Sequence, residues 1–344
     1  MKVGIVGCGE VSQFHFNAWR GLGIPTAAVC DANRDVAVQA AEKWKIPSYY
    51  TDFSKMIQSE DLSAVSICTP PQFHADQAIE CLESNCHVVV EKPFTVTIKE
   101  ADRVLKALHR SSAKLLVIQN QLFEPSMVRA MKQINAGAIG QVIGMSVGLL
   151  HSKDEHMVAN KNHWCHKLPG GRFGENLAHP VYLLQAMLGN LKAKSVFVEK
   201  LGDYPWMPFD DLRVILDADG KFGTIHISFN APGSNRVDVY ADIYGTGGTL
   251  HAGIYPISSL IVTKPGRGFW LGENILYQIK IGFSYLAMLL KQKKLLGFSP
   301  SHAMIIKSFV ESIDNNEELL VTPKMGYEHV RIVEEICRQI DNAP

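Results

Sequence analysis

Short apolar runs alternate with longer stretches of helical spacing through the first 120 residues. The runs KVGIVG, PTAAVCD, AVSICTP, HVVVEKP and KLLVIQN read as buried strands. Between them QFHFNAWRGL, DVAVQAAEKWK, HADQAIECLES and IKEADRVLKALHRSS read as helices. Strands that are apolar throughout and joined by helices predict a parallel sheet covered on both faces. After Gln141 the pattern changes to longer strands with alternation: VIGMSVGLLH, KAKSVFVEKL, DLRVILDAD, KFGTIHISFN, RVDVYADIYGT and GTLHAGIY. Asp219-Gly220 between two alternating runs is a hairpin turn, so a meandering antiparallel sheet is expected here. SHAMIIKSFVESIDNN and YEHVRIVEEICRQI read as two amphipathic helices near the end.

A chain of 344 residues exceeds one ordinary core, and the change of pattern divides it into domains at 1–120 and 121–344. Lys+Arg and Asp+Glu each number 34, so no net field favours nucleic acid or an anionic membrane, and a small-molecule substrate is the expected partner. Seven cysteines at irregular spacings fit a reducing compartment, and cytoplasm is expected. The most membrane-like stretch, Ile275 to Leu290, is interrupted by Gln278 and Lys280 and reads as amphipathic or partly buried.

GIVGCGEVSQFH joins the first strand to the first helix. Gly7 allows a tight turn, Gly9 lets backbone approach a pyrophosphate, and Ser12 stands where a third glycine is usual. Glu10 and Val11 complete this dinucleotide-binding turn. Asp31 ends the second strand, 22 residues after Gly9, where a carboxylate accepts from ribose hydroxyls and repels a 2′-phosphate. It is also a candidate helix N-cap. Arg34 is close enough in sequence to receive a 2′-phosphate, so NAD is preferred and NADP stays open.

Two further stretches, Thr69 to Phe94 and Val117 to Val142, together with the glycine turn, resemble the glucose–fructose oxidoreductase/inositol dehydrogenase (Gfo/Idh/MocA) family. The resemblance runs in order from residue 2 to about 142 and more loosely beyond. It implies an N-terminal Rossmann domain and a C-terminal α/β domain with an open, mostly antiparallel sheet that serves dimer or tetramer contacts. It also implies an NAD(P)-dependent dehydrogenase or reductase acting on a sugar, cyclitol or polyol. Thr69, Pro70 and His74 match the loop beside the nicotinamide half of the cofactor. Glu91, Lys92 and Pro93 match the EKP motif, whose lysine reaches substrate and nicotinamide ribose, and Asn120 matches a position close to both. Other readings are an imine or dihydrodiol-type reductase, and a non-catalytic NAD(P)-binding sensor or scaffold.

Lys92 ends an apolar strand, where ligands bind in open α/β sheets; the bland alternative is a solvated pair with Glu91. In GGRFGENLAHPVYLL, Gly170 and Gly171 match the family's glycines and His179 its histidine. Glu175 replaces the usual aspartate, Leu177 a common glycine, and Tyr182 a later aspartate. Alcohol oxidation needs a proton acceptor near neutrality, which His179 supplies, with Glu175 tuning it or meeting another substrate hydroxyl. Pro180 confines these residues to a helix start. His163, His166 and Arg172 are candidate substrate contacts, Arg172 alternatively a solvated turn residue. Tyr204, Trp206 and Phe209 are aromatics able to stack on a sugar ring. The cluster His151, His156, His163, Cys165, His166, Glu175 and His179 has no zinc-like spacing, so no metal is expected.

Overall fold

The computed structural model describes residues 1–231, 237–256, 258–264 and 300–343, and between 265 and 299 only residues 275, 276, 279, 282 and 283. The segment Ile275–Leu290 therefore lies largely outside the described residues. The chain divides into two compact units, Met1–Asn120 with Leu295–Arg331, and Gln121–Lys294 with Ile332–Pro344. The expected second domain of 121–344 is thus not one block: residues 295–331 return to the first unit.

The first unit holds a six-stranded parallel sheet in the order β3-β2-β1-β4-β5-β6. Its strands are β1 (Val3–Val6), β2 (Thr26–Cys30), β3 (Ser48–Tyr50), β4 (Ala64–Ile67), β5 (His87–Val90) and β6 (Leu115–Val117). Helices α1 (Ser12–Gly21), α2 (Arg34–Trp44), α3 (Phe53–Ser59), α4 (His74–Glu83) and α5 (Ile98–His109) connect them. β3 and α3 carry no legible apolar period. β3 pairs with the sheet edge at Ala28–Cys30, and its residues are only partly covered. The strand order reverses between β1 and β4, and there the chain leaves both strands toward the crevice where such sheets bind ligands. The later helix Pro300–Asp314 packs beside α1, with Phe14 stacked on His302 at 4.9 Å between ring centres. Its C-terminal end is fastened by Lys114, whose ammonium donates to the Ser312 carbonyl (2.6 Å).

The second unit holds a seven-stranded sheet in the order β13-β12-β11-β7-β10-β9-β8. Its strands are β7 (Val142–His151), β8 (Lys192–Glu199), β9 (Asp211–Ala218), β10 (Lys221–Ser228), β11 (Val237–Gly245), β12 (Gly248–Tyr255) and β13 (Ser259–Thr263). Two antiparallel meanders, β8-β9-β10 and β11-β12-β13, flank β7, which pairs antiparallel with β11 and parallel with β10. A simple meander is therefore corrected. The first strand in sequence is the central one in space, which alternation of side chains along each strand cannot reveal. Asp219 (φ 51°) and Gly220 (φ 86°) make the expected hairpin turn. Helix α6 (Pro125–Asn135) and, after the short α7 (His156–Ala159) and α8 (Arg172–Asn176), helix α9 (Ala178–Leu188) cover one sheet face. Val181, Leu184 and Leu188 of α9 join Val147, Leu216 and Ile225 in the core. A last helix, Pro323–Asp341, places Val330 in the first core and Ile332, Ile336 and Ile340 in the second.

All seven cysteines are free thiols. Among the described residues no helix is long and apolar enough to cross a membrane.

Candidate functional site

The turn after β1 is built for close approach. Gly7 has φ 81°, and a side chain there would meet the Cys68–Thr69 backbone at 2.6 Å. A Cβ on Gly9 would enter open space. Ser12, fully buried, turns its hydroxyl back to the Gly9 carbonyl (2.6 Å), so it fills the third small position without blocking the turn. Helix α1 begins after Val11 with no capping side chain and no acidic residue in its first turn, an end that favours an anion. Glu10 is exposed and Val11 half-buried. These features fit a pyrophosphate.

Asp31 accepts from the Cys8 N–H (2.9 Å) through one oxygen and from the Asn33 N–H (2.9 Å) through the other. Each oxygen keeps a second lone pair. Asp31 is not the cap of α2. Asn33, which immediately precedes the helix, accepts from Asp35 N–H (3.0 Å) and is the cap. Arg34 lies exposed against Tyr49, its guanidinium donating to the phenol (3.2 Å).

The loop after β4 and the turn after β5 are tied by His74. Its Nδ1 lies 2.8 Å from the Pro93 carbonyl and its Nε2 2.7 Å from that of Thr69, and burial lowers its pKa. Thr69 donates its hydroxyl to Gln77 (2.7 Å), and Pro70 leads into a short 3₁₀ turn. Lys92 is half-buried at the end of β5, before a cis bond to Pro93. The solvated Glu91–Lys92 pair is excluded, because Glu91 is 4% exposed. One of its oxygens faces His15 Nε2 (2.9 Å) and His302 Nε2 (3.3 Å), and the other accepts from the Lys92 backbone N–H (3.1 Å). Burial alone would raise the Glu91 pKa; the two imidazoles outweigh it and hold the carboxyl well below its usual range. Among the described residues His15, Glu91 and His302 are the one group whose donor atoms converge as metal ligands would, all within 4.8 Å. The histidines between 151 and 179 form no such group.

Sequence reading missed His302 and His329, both brought in by helices far along the chain. His329 is fully buried, and burial together with the positive charge of Lys92 pushes its pKa down to about 3. Gly326, one turn earlier, sits against Val117 and Phe94, which directs that helix face toward the strand ends. Asn120 begins a half-buried 3₁₀ turn, preceded by Gln119, whose buried amide has no protein partner at either atom.

In the second unit the stretch from Gly170 is two short helices. Pro180 has no N–H to give the carbonyl of Asn176, and α8 ends there before α9 begins. Gly170 (φ 69°) packs against Cys337, and its N–H donates to Asp341 (3.0 Å). Arg172 is not a solvated turn residue. It is 4% exposed, paired through one nitrogen with Glu175 and through another with Glu155 (3.5 Å). Glu175, 7% exposed, meets Arg172 through one carboxylate oxygen, a partner that sequence reading did not give it. The reason is helical: positions three apart share a face. His179 is half-buried, and its Nδ1 lies 2.8 Å from the Tyr182 hydroxyl, which also accepts from the Gln121 N–H (3.1 Å). Tyr182 was legible only as a missing aspartate; its position one turn after His179 is the signal that finds it.

His163 contacts Cys165 Sγ (3.1 Å), and His166 Nε2 lies 2.9 Å from the Met157 carbonyl. Burial is the largest influence on both and lowers their pKa; burial and then Arg172 push His151 down to about 4. A cavity of about 340 Å³ brings His166 and Arg172 together with Trp206, Phe209 and Asp341. His163, Glu175 and His179 are not among its lining residues.

Comparison with known proteins agrees with this architecture. Residues 1–119 match a family described as an oxidoreductase family with an NAD-binding Rossmann fold, and residues 127–251 match the Gfo/Idh/MocA C-terminal domain. A levoglucosan dehydrogenase of Pseudarthrobacter phenanthrenivorans is 24% identical over 73% of this chain and 73% of its own. An inositol 2-dehydrogenase of Salmonella typhimurium is 30% identical over 41% of this chain and 43% of its own. The WlbA dehydrogenase of Bordetella pertussis, solved with NADH and UDP-GlcNAcA, superposes with a TM-score of 0.83 at 19% identity, covering 99% of this chain and 96% of that one. The chain belongs to the Gfo/Idh/MocA family and is an NAD-binding oxidoreductase of it.

Proposed function

We propose that this enzyme moves a hydride between a nicotinamide and a hydroxyl-bearing carbon of a sugar, sugar derivative, cyclitol or polyol, with Lys92 and His179 in acid/base roles. The observation that carries the reading is Lys92, a half-buried lysine at the carboxyl end of β5, on the same unit as the open Gly9 turn and Asp31. The names of the relatives, dehydrogenases of levoglucosan and inositol, support the substrate class.

The bound nicotinamide supplies the hydride acceptor. Lys92 donates to the substrate oxygen and stabilises its alkoxide character. His179 takes the hydroxyl proton, and returns it in the reductive direction. His74 holds the Thr69 loop to the turn after Lys92 and so fixes the strand end that carries the lysine. Arg172 and Glu175 brace the helix start that carries His179. His166 and Arg172, with Trp206 and Phe209, offer a polar and aromatic wall for a ring bearing hydroxyls. Asp31, with Arg34 turned onto Tyr49, favours NAD over NADP; equal Kd values for the two cofactors would contradict that preference.

A homo-oligomer through the second unit's sheet accompanies this reading. Phe222 (60% exposed) and Tyr244 (38%) flank Gly144 across adjacent strands on one face, with Ile215 and Phe197 beyond them. An apolar face of this kind suits a second copy of the chain. Light scattering of the full chain that returns a monomer contradicts it.

The function is tested by screening a panel of sugars, cyclitols and polyols for change in nicotinamide absorbance. Turnover of a member of the panel is expected, with His179→Ala lowering kcat by about 10²- to 10⁴-fold, the usual loss on removing a general base. Full activity in His179→Ala overturns the role, and tight NADH binding without any turnover favours a sensor.

A further inference from the structure

Three groups in the second unit form a chain of contacts that sequence reading did not assemble. The Gln121 backbone N–H points at the Tyr182 hydroxyl (3.1 Å), and the same oxygen lies 2.8 Å from His179 Nδ1. The two rings meet edge to face at 5.6 Å. Tyr182 is fully buried in the core with Leu183, Leu184 and Phe173, so its phenol is held in place on all sides. His179 is half-buried, one turn earlier on the same helix.

We infer that Tyr182 is the positioning residue of His179: its oxygen accepts from both the Gln121 N–H and the His179 Nδ1–H, which leaves Nε2 as the basic nitrogen. This rests on the acid/base role proposed above for His179.

The argument is one of proton placement. A phenol oxygen has two acceptor sites and one proton to give. The imidazolium that forms when His179 takes a proton carries hydrogen on both nitrogens, so Nδ1–H must then donate to the phenol. If the neutral ring already donates from Nδ1, that bond is the same before and after the transfer, and only Nε2 changes. If the phenol donated to Nδ1 instead, Nε2 would already hold its proton, and accepting another would require the phenol to turn. The backbone N–H of Gln121 occupies one lone pair of the oxygen, holding it where the second meets Nδ1. Orientation and tautomer are what a histidine base needs from its partner, and a neutral phenol provides both without adding a negative charge at Nδ1.

The test uses the full-length protein with ¹⁵N-labelled histidine, the His179 signal being assigned by its loss in His179→Ala. Wild type is expected to show the Nδ1–H tautomer for neutral His179. Tyr182→Phe keeps the ring that fills the core and removes only the hydroxyl; it is expected to move His179 toward the Nε2–H form. In the same variant kcat should fall about 10-fold to 100-fold, as for a small misplacement of a catalytic group, with KM within about twofold. An Nε2–H tautomer in wild type, or a tautomer and kcat unchanged in Tyr182→Phe, overturns the inference. The spectroscopic result stands whether or not a substrate has been found, so its failure is separable from failure of the proposed function.

Discussion

The two units bury charge in opposite ways. In the first, one carboxylate, Glu91, lies between two imidazoles, His15 and His302. In the second, one guanidinium, Arg172, lies between two carboxylates, Glu155 and Glu175. An imidazole gains or loses a proton within the working range of pH, whereas a guanidinium does not. The first cluster therefore surrounds its carboxylate with ring nitrogens (His15 Nε2 at 2.9 Å, His302 Nε2 at 3.3 Å), and the second carries a fixed charge that only its partners balance. Each stands beside a proposed catalytic residue. Glu91 receives the backbone N–H of Lys92, and Glu175 lies four residues before His179. Each acid in these motifs is thus paired within its own unit, Glu91 with His15 and His302 and Glu175 with Arg172, and the proposal gives the acid/base roles to the lysine and the histidine.

Breaking the fixed cluster should cost most. Arg172→Ala leaves Glu155 and Glu175 without their guanidinium. A loss of about 3–5 kcal/mol is expected, the usual result of removing one partner of a buried pair. Urea denaturation measures it, and a loss below about 1 kcal/mol would mean that the carboxylates are relieved by protonation or solvent.

Acid should act next, through one buried histidine in each unit. His329 and His151 have folded pKa values pushed down to about 3 and about 4, against an ordinary 6.5. Below pH 6.5 the unfolded chain takes up protons that the folded chain refuses, so stability is complete above that pH and falls as the pH drops. With both groups contributing, the slope is up to about 2.7 kcal/mol per pH unit between about pH 6 and 4. Replacing His329 by Asn should flatten that slope; an unchanged slope would remove His329 from the account. The smallest effect is expected from Glu91→Gln, which keeps the shape and one acceptor oxygen for the two imidazoles. About 1–2 kcal/mol is expected, in the range for hydrogen bonds to a charged group, and a loss as large as that of Arg172→Ala would erase the distinction between the clusters.

What could be read from the sequence follows from distance along the chain. The glycine turn, the strand-end Asp31 and the EKP lysine are contiguous signals within one βαβ pattern, and the parallel sheet follows from the same period. The partners of Glu91 are not contiguous: His15 is 76 residues away and His302 211. His15 read only as part of a helix, and nothing near His302 marks it. The central position of β7 was hidden because its pairing with β10 joins residues some eighty apart, while alternation reports only which face is buried. Arg172 was ambiguous because a short helix between glycines looks the same whether the guanidinium points into solvent or into a carboxylate pair. The cavity walls at Trp206 and Phe209 were legible as aromatics in a loop, and their meeting with Arg172 and His166 was not.

The central proposal is that Lys92 and His179 take acid/base roles in turnover, and a double-mutant cycle on kcat/KM with a substrate from the screen tests it most directly. Residues that act together lose activity non-additively. The account predicts that Lys92→Ala with His179→Ala is within about tenfold of the worse single variant. Losses that multiply in full, or a single variant that keeps wild-type activity, would contradict it.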